Sequence, residues 1–252
     1  MRPLVNKIKP TKGFSAVLHA GLVLLLPILL FILARLGDQF IAVSFGLVLL
    51  SKWRMFAVRP RFWAAIIRAN SIDMLVGAST VVFLQHSAGS FWLQLFWAAA
   101  YAGWLLLLKP RAGLLMISIQ AFVGQLVGFM ALFLALPNAA MAWLVVLSGL
   151  ICFVSARHFF DAFEEPYSKM LAYLWAYFGA ALVWVMSHWL LFYGVVSQPT
   201  LILTTVGYGL AALYYFDHSG KLSTLLRRQF VFIMIAIILV IITFSDWGDK
   251  VV

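Results

Sequence analysis

Six stretches of this chain carry no Asp, Glu, Lys or Arg: residues 13–34, 39–51, 74–108, 112–156, 170–216 and 229–245. A helix needs about 20 largely apolar residues to cross a hydrocarbon core about 30 Å thick, so these runs fix the architecture before any motif is read. Composition agrees. The chain is 65% apolar and 10% charged, whereas soluble domains carry roughly 45–50% apolar and 25% charged residues. A cytosolic enzyme, a secreted domain and a disordered chain are excluded, and a polytopic membrane protein remains.

The runs divide into nine spans. The first, near 14–34, has the basic start and apolar middle of a signal peptide, but its length and the lack of a small-x-small site before Arg35 predict an uncleaved helix. The second, near 39–56, reaches full length only by continuing through Lys52, Trp53 and Arg54, whose long side chains snorkel to the interface. Residues 59–70 mix Arg59, Arg61 and Arg68 with Phe62, Trp63, Ile66 and Ile67. That pattern predicts an amphipathic elbow on the membrane surface between spans two and three.

Each of the three long runs holds two spans, interrupted near its midpoint by turn-forming residues at 86–90, 137–138 and 197–199. They give spans near 71–86, 90–108, 113–136, 139–157, 169–193 and 199–216, with a last one near 228–245. The fold class is therefore an all-α transmembrane bundle, a single integral membrane domain over 1–252 with no internal repeat.

Charge orients it. With the N-terminus in the cytoplasm and the C-terminus outside, every basic residue of the 18 except Arg35 and Lys250 falls on the inner side, the positive-inside pattern. The net charge of +10 is then an orientation signal directed at anionic headgroups, and no nucleic acid is expected as a partner. The expected location is the plasma membrane of a bacterium, with the bilayer as first partner and a docking protein or a second copy as a further one. The lone cysteine, Cys152, forms no internal disulfide.

Residues 204–209, Thr-Thr-Val-Gly-Tyr-Gly, resemble the selectivity filter of potassium channels, in which backbone carbonyls replace an ion's hydration shell. Apolar residues follow the string, and a re-entrant loop there would move Lys221, Arg227 and Arg228 outside. A helix with packing glycines is the better reading. Lys52 with Arg59-Pro60 resembles the first motif of the membrane-bound acid phosphatases that act on lipid phosphates. Neither the Pro-Ser-Gly-His element nor the later element bearing the nucleophilic His of that family occurs here.

Polar groups at membrane depth are functional candidates because burying them is costly. His19, Asp73, Gln120, Gln125 and His188 form that set. Asp73 is expected to begin the third span, either as a helix N-terminal charge favoured by the macrodipole or in a pair with Arg68 or another arginine of the elbow. Gln120 and Gln125 share a helix with Gly124 and Gly128, the small-xxx-small spacing of close packing. On the inner side, Arg157 and Asp161 stand four apart, while His158, Asp161 and Glu165 would share a helical face. With Arg59, Arg61, Arg68 and Glu164 they make a candidate docking surface. No HExxH-like metal signature, histidine box or retinal-binding Lys occurs, so no metal or cofactor is expected and no catalytic residue is assigned.

Three functions follow. The leading one is a small-solute or lipid carrier or channel lined by His19, Gln120, Gln125 and His188. The others are a membrane scaffold that docks a partner, and an intramembrane enzyme on a lipid-linked substrate using Lys52, Arg59, His158 and Asp161.

Overall fold

A computed structural model describes residues 13–53, 59–111, 113–137, 139–189, 192–193 and 196–245, with the side chains of residues 14–19, 189, 192 and 193 outside that description. The architecture is helical: α1 (Phe14–Leu36), α2 (Ile41–Leu50), α3 (Trp63–His86), α4 (Phe91–Gly103), α5 (Leu114–Ala135), α6 (Met141–Ala162), α7 (Ser168–Met186), α8 (Gln198–His218) and α9 (Thr224–Phe244). Among the described residues the extended structure is one antiparallel pair, β1 (Phe192–Tyr193) and β2 (Val196–Ser197), between α7 and α8. Seven helices, α3 to α9, are long and apolar enough to cross a membrane, α4 together with the turn that extends it to Leu108.

Side-chain placement is that of a membrane protein. Large apolar residues face outward, among them Leu22, Trp92, Trp143, Tyr177, Phe232 and Phe244, while Asp73, Gln94, Gln120, Gln125 and Thr200 are buried. Hydrocarbon accepts the first set, and interhelical hydrogen bonds satisfy most of the second. Of α9, Ile241 alone is buried among its described residues.

Contacts between helix ends show that neighbours run antiparallel. At one end Arg35 Nη1 donates to Gln94 Oε1 at 3.4 Å, Gln85 donates to Asp38, and Gln198 at the start of α8 donates to Ser245 after α9 at 2.9 Å. At the other end Lys52 reaches Asp73, His158 reaches Gln120, and Tyr214 reaches Glu165. Gly124 and Gly128 lie against α3, where an added Cβ would sit 3.0 Å from Ile72 and 3.1 Å from Leu75. The small-residue pair therefore brings α5 onto α3, as its spacing predicts.

Four boundaries differ from expectation. Residues 63–70 do not form a separate surface elbow: they are the first two turns of α3, continuous to His86 and preceded by a 3-10 turn at Pro60–Phe62. Helix propensity across 63–70 has no breaker, and burial of one stripe begins only at Ile72. The α7 helix ends at Met186, short of residue 193, because Ser187–Trp189 tighten into a 3-10 turn before the β pair. The α6 helix runs on past Arg157 to Ala162, carrying the inner polar segment as helix. The α2 helix ends at Leu50 and a turn follows through residues 51–53, while residues 54–56 of the second expected span lie outside the described residues.

Candidate functional site

The polar residues assemble around Asp73. Its Oδ2 accepts from Lys52 Nζ at 3.0 Å and from Lys109 Nζ at 2.5 Å, and its Oδ1 accepts from Trp104 Nε1 at 3.0 Å. Two lysines, one in the turn after α2 and one in the turn before α5, stand where one expectation places an arginine partner. Lys52 does not snorkel to water: its side chain is 9% exposed against the carboxylate. A continuous α-helix would place Trp104 and Lys109 about 140° apart. Residues Trp104–Leu108 instead form a π turn, with Lys109 N–H donating to Trp104 C=O at 2.9 Å. The widened turn swings residue 109 back toward the face of residue 104, so both side chains reach one carboxylate. Tyr101 lies one turn earlier, and its buried hydroxyl has no hydrogen-bond partner among the described residues.

Beside this network, Gln120 Nε2 donates to the carbonyls of Leu108 at 2.7 Å and Arg111 at 3.1 Å. The amide thereby ties the connection after the π turn to α5. Its oxygen faces His158 Nε2 at 3.2 Å, so the histidine is the donor there. Asn70, Asp73, Lys109, Arg111, Gln120 and His158 line a cavity of 230 Å³. A neighbouring cavity of 320 Å³ shares His158 and adds Arg68 and Asp161.

A larger cavity, 580 Å³, lies on the far side of α5 and α6, bounded also by α7 and α8. Its wall is apolar, with Ala121, Phe122, Phe159, Leu174, Phe178 and Ala211 among its members. Ser118, Ser155, Tyr208 and Tyr214 add hydroxyls to the wall, and its amide, Gln125, is held from two sides: Trp175 Nε1 donates to its oxygen at 2.9 Å, and its nitrogen donates to Leu203 C=O at 3.0 Å. A Cβ on Gly207 would stand 2.8 Å from that nitrogen. The filter-like string at 204–209 is thus a segment of α8, and its first glycine makes room for the Gln125 amide.

Of the intramembrane candidates, Asp73 and Gln120 meet at the 230 Å³ cavity, while Gln125 and His188 lie elsewhere. Gln120 and Gln125 open onto separate cavities, and His188 sits exposed at the opposite end of α7, its Nδ1 2.9 Å from Trp184 C=O. Asp73 belongs to the lysine network, and the His19 side chain lies outside the described residues. A single polar path lined by His19, Gln120, Gln125 and His188 is therefore not formed by the residues that are described.

The inner segment is used partly within the protein. Arg157 Nη2 pairs with Asp161 Oδ1 at 3.1 Å, the expected spacing of four, and Ser168 bridges the same two side chains. His158, Asp161 and Glu165 do not share one face. His158 turns to Gln120, and Glu165, beyond the helix end, accepts from Tyr214 at 2.5 Å. Glu164 is exposed and takes φ +54°, with the bonds Glu165 N–H to Phe160 C=O and Glu164 N–H to Asp161 C=O of a Schellman cap. Arg59, Arg61 and Arg68 remain exposed. Of the four residues expected for an enzyme, His158 and Asp161 line one cavity, while Lys52 and Arg59 do not line it.

Sequence reasoning missed Lys109, Trp104, Trp175 and Tyr214. The usable signal for Lys109 was level: Lys52, Asp73 and Lys109 each stand at the end of a charge-free run that the charge pattern predicts to be the inner one. Among the described residues no group of three or more His, Cys, Asp or Glu is placed to hold a metal ion. The chain matches no family model, no curated protein and no solved structure.

Proposed function

We propose that the chain crosses the bilayer nine times, N-terminus in the cytoplasm and C-terminus outside, and admits a lipid-class molecule laterally into the cleft among α5, α6, α7 and α8. The observation that carries this reading is the 580 Å³ cavity with an almost wholly apolar wall. Ligand sites in this size range bury most of an apolar ligand and use a few fixed polar groups for orientation. Gln125, clamped by Trp175 and Leu203, supplies such a group. A hydrated solute would leave its shell for hydrocarbon-like walls at a cost of several kcal/mol per unpaired group (about 4–8), whereas an acyl or prenyl chain exchanges one apolar surrounding for another. The scattering of the polar candidates favours this lipid form of the carrier reading over a solute path.

Filling the cleft tests the proposal. Ala211→Trp is expected to reduce the lipid retained through mild-detergent purification, measured by native mass spectrometry, by about tenfold, equivalent to about 1.4 kcal/mol. Leu107→Trp, on the outward surface, is the control and should leave it unchanged. Unaltered lipid in Ala211→Trp would end this reading.

Support for nine crossings comes from the alternating charge of the loops and the antiparallel contacts at both ends. Cys152 is fully buried, so a Cys152→Ala background gives a silent frame for labelling. In that background, Ala88→Cys is expected to react with a membrane-impermeant maleimide on intact cells, and Lys221→Cys only after permeabilisation. The reverse pattern would invert the orientation.

A further inference from the structure

We propose that the paired cavities bounded by α3, α5 and α6 form a binding site for a phosphate-class anion, separate from the apolar cleft and independent of its occupant. The argument begins with unbalanced charge. Asp73 carries one negative charge and receives two ammonium groups, from Lys52 at 3.0 Å and Lys109 at 2.5 Å. One positive charge is left over at the wall of the 230 Å³ cavity. Arg111 lines the same space, and Arg68 lines the 320 Å³ cavity next to it. Neither arginine forms an ion pair among the described residues. Asp161, the acid on that second wall, is already matched by Arg157. The two cavities are therefore net cationic, and the Asp73 carboxylate that would repel an anion is covered by its lysines.

Geometry turns this excess charge into a site. Gln120 fixes the carbonyls of Leu108 and Arg111, so the backbone from which Lys109 and Arg111 project is held against α5 rather than left as a free loop. His158 stands between the cavities and donates through Nε2 to Gln120, which leaves Nδ1 of the neutral ring as an acceptor for a proton-bearing phosphate oxygen. Arginine forks and a lysine point charge together suit the several oxygens of a phosphate, which accept charge-assisted bonds from more than one direction. The basic end of the bundle is the end at which the charge pattern predicts the cytoplasmic headgroups. Two sources carry the same chemistry there: the headgroup of an anionic lipid and a soluble phosphate compound.

Arg111→Gln removes a cation without touching the Lys52–Asp73–Lys109 network, and its melting temperature reports whether the bundle is intact. Two probes separate the sources. Inorganic phosphate, titrated with chloride at matched ionic strength as reference, is followed by thermal shift in detergent. Phosphatidate retention is followed by native mass spectrometry after exchange from nanodiscs of phosphatidylcholine alone or mixed with phosphatidate. The expected result is a saturable response to at least one probe that weakens about tenfold in Arg111→Gln and also weakens in Arg68→Gln. Arg228→Gln, away from the cavities, should behave as the wild type. A response to inorganic phosphate assigns a soluble ligand, and a response to phosphatidate without one assigns a lipid headgroup. No response to either probe, or an equal loss in Arg228→Gln, would overturn the proposal. Ala211→Trp should leave this response intact while emptying the apolar cleft, so the two readings fail separately.

Discussion

Asp73→Asn is expected to lower the unfolding free energy of the purified protein by about 3 kcal/mol, the low end of the cost of removing one partner from a buried ion pair. The carboxylate side chain is 11% exposed and that of Lys52 is 9% exposed, so little water stands ready to take up the lost charge. Lys109, 35% exposed, can turn outward, which keeps the loss below the upper end of the range. The asparagine also retains an oxygen for Trp104 Nε1, so the effect reports charge more than packing. A second variant separates the two causes. In the Asp73→Asn background, Lys52→Met removes the stranded buried ammonium and is expected to recover part of the stability, making the double variant more stable than the single one. Denaturant unfolding in mixed micelles measures both. Equal stability of Asp73→Asn and wild type would show that the network contributes nothing net.

The second large effect concerns the packing of α6 on α7. Cys152 is fully buried on α6, and a Cβ on Gly179 of α7 would run into its sulfur. Nothing around Cys152 gives way readily: Leu144, Ile151, Val183 and Leu203 belong to the same cluster. Gly179→Ala should therefore cost about 1–3 kcal/mol, as overpacking of a filled core does, despite the gain of roughly 1 kcal/mol in helix propensity from losing a glycine. Cys152→Ala in the same chain should restore most of it, a coupling that contact between the two positions requires. Gly209 is the contrast. Its added Cβ would meet the far end of Met234, a flexible side chain on α9, and Gly209→Ala should change stability by no more than about 0.5 kcal/mol. Similar losses in Gly179→Ala with and without Cys152→Ala would refute the packing account.

What was legible in the sequence, and what was not, divides along physical lines. Hairpin breaks at 86–90 and 137–138 were readable because Pro, Gly, Ser and Asn interrupt a pattern that otherwise has no stops, whereas the break expected at 197–199 falls earlier, at 187–197, and Gln198-Pro199 begin α8 instead. The Arg157–Asp161 pair was readable because spacing on one helix fixes it. The partners of Asp73 were not, since they depend on the depth and rotation of three separate helices and on a π turn that no residue in Trp104–Leu108 announces. The divergence of Gln120 and Gln125 could have been anticipated. Five positions on an α-helix are about 140° apart, so one path lined by both amides was geometrically strained from the start. The cleft among α5 to α8 had no counterpart in the sequence, because an apolar wall facing a void and one facing a neighbouring helix use the same residues.

The ion network also bears on how the chain enters the membrane. An Asp at the bilayer centre opposes insertion by about 2.5–3.5 kcal/mol; Asp73, at the boundary of its charge-free run, meets less than that, and a counter-charge lowers it further. Synthesis runs from the N-terminus, so Lys52 is made before Asp73, while Trp104 and Lys109 follow it. If the helices insert in chain order, the first lysine is in place before α3 and the second comes with the end of α4. The order of the chain thus provides the carboxylate with a counter-charge on arrival and strengthens the pairing one hairpin later.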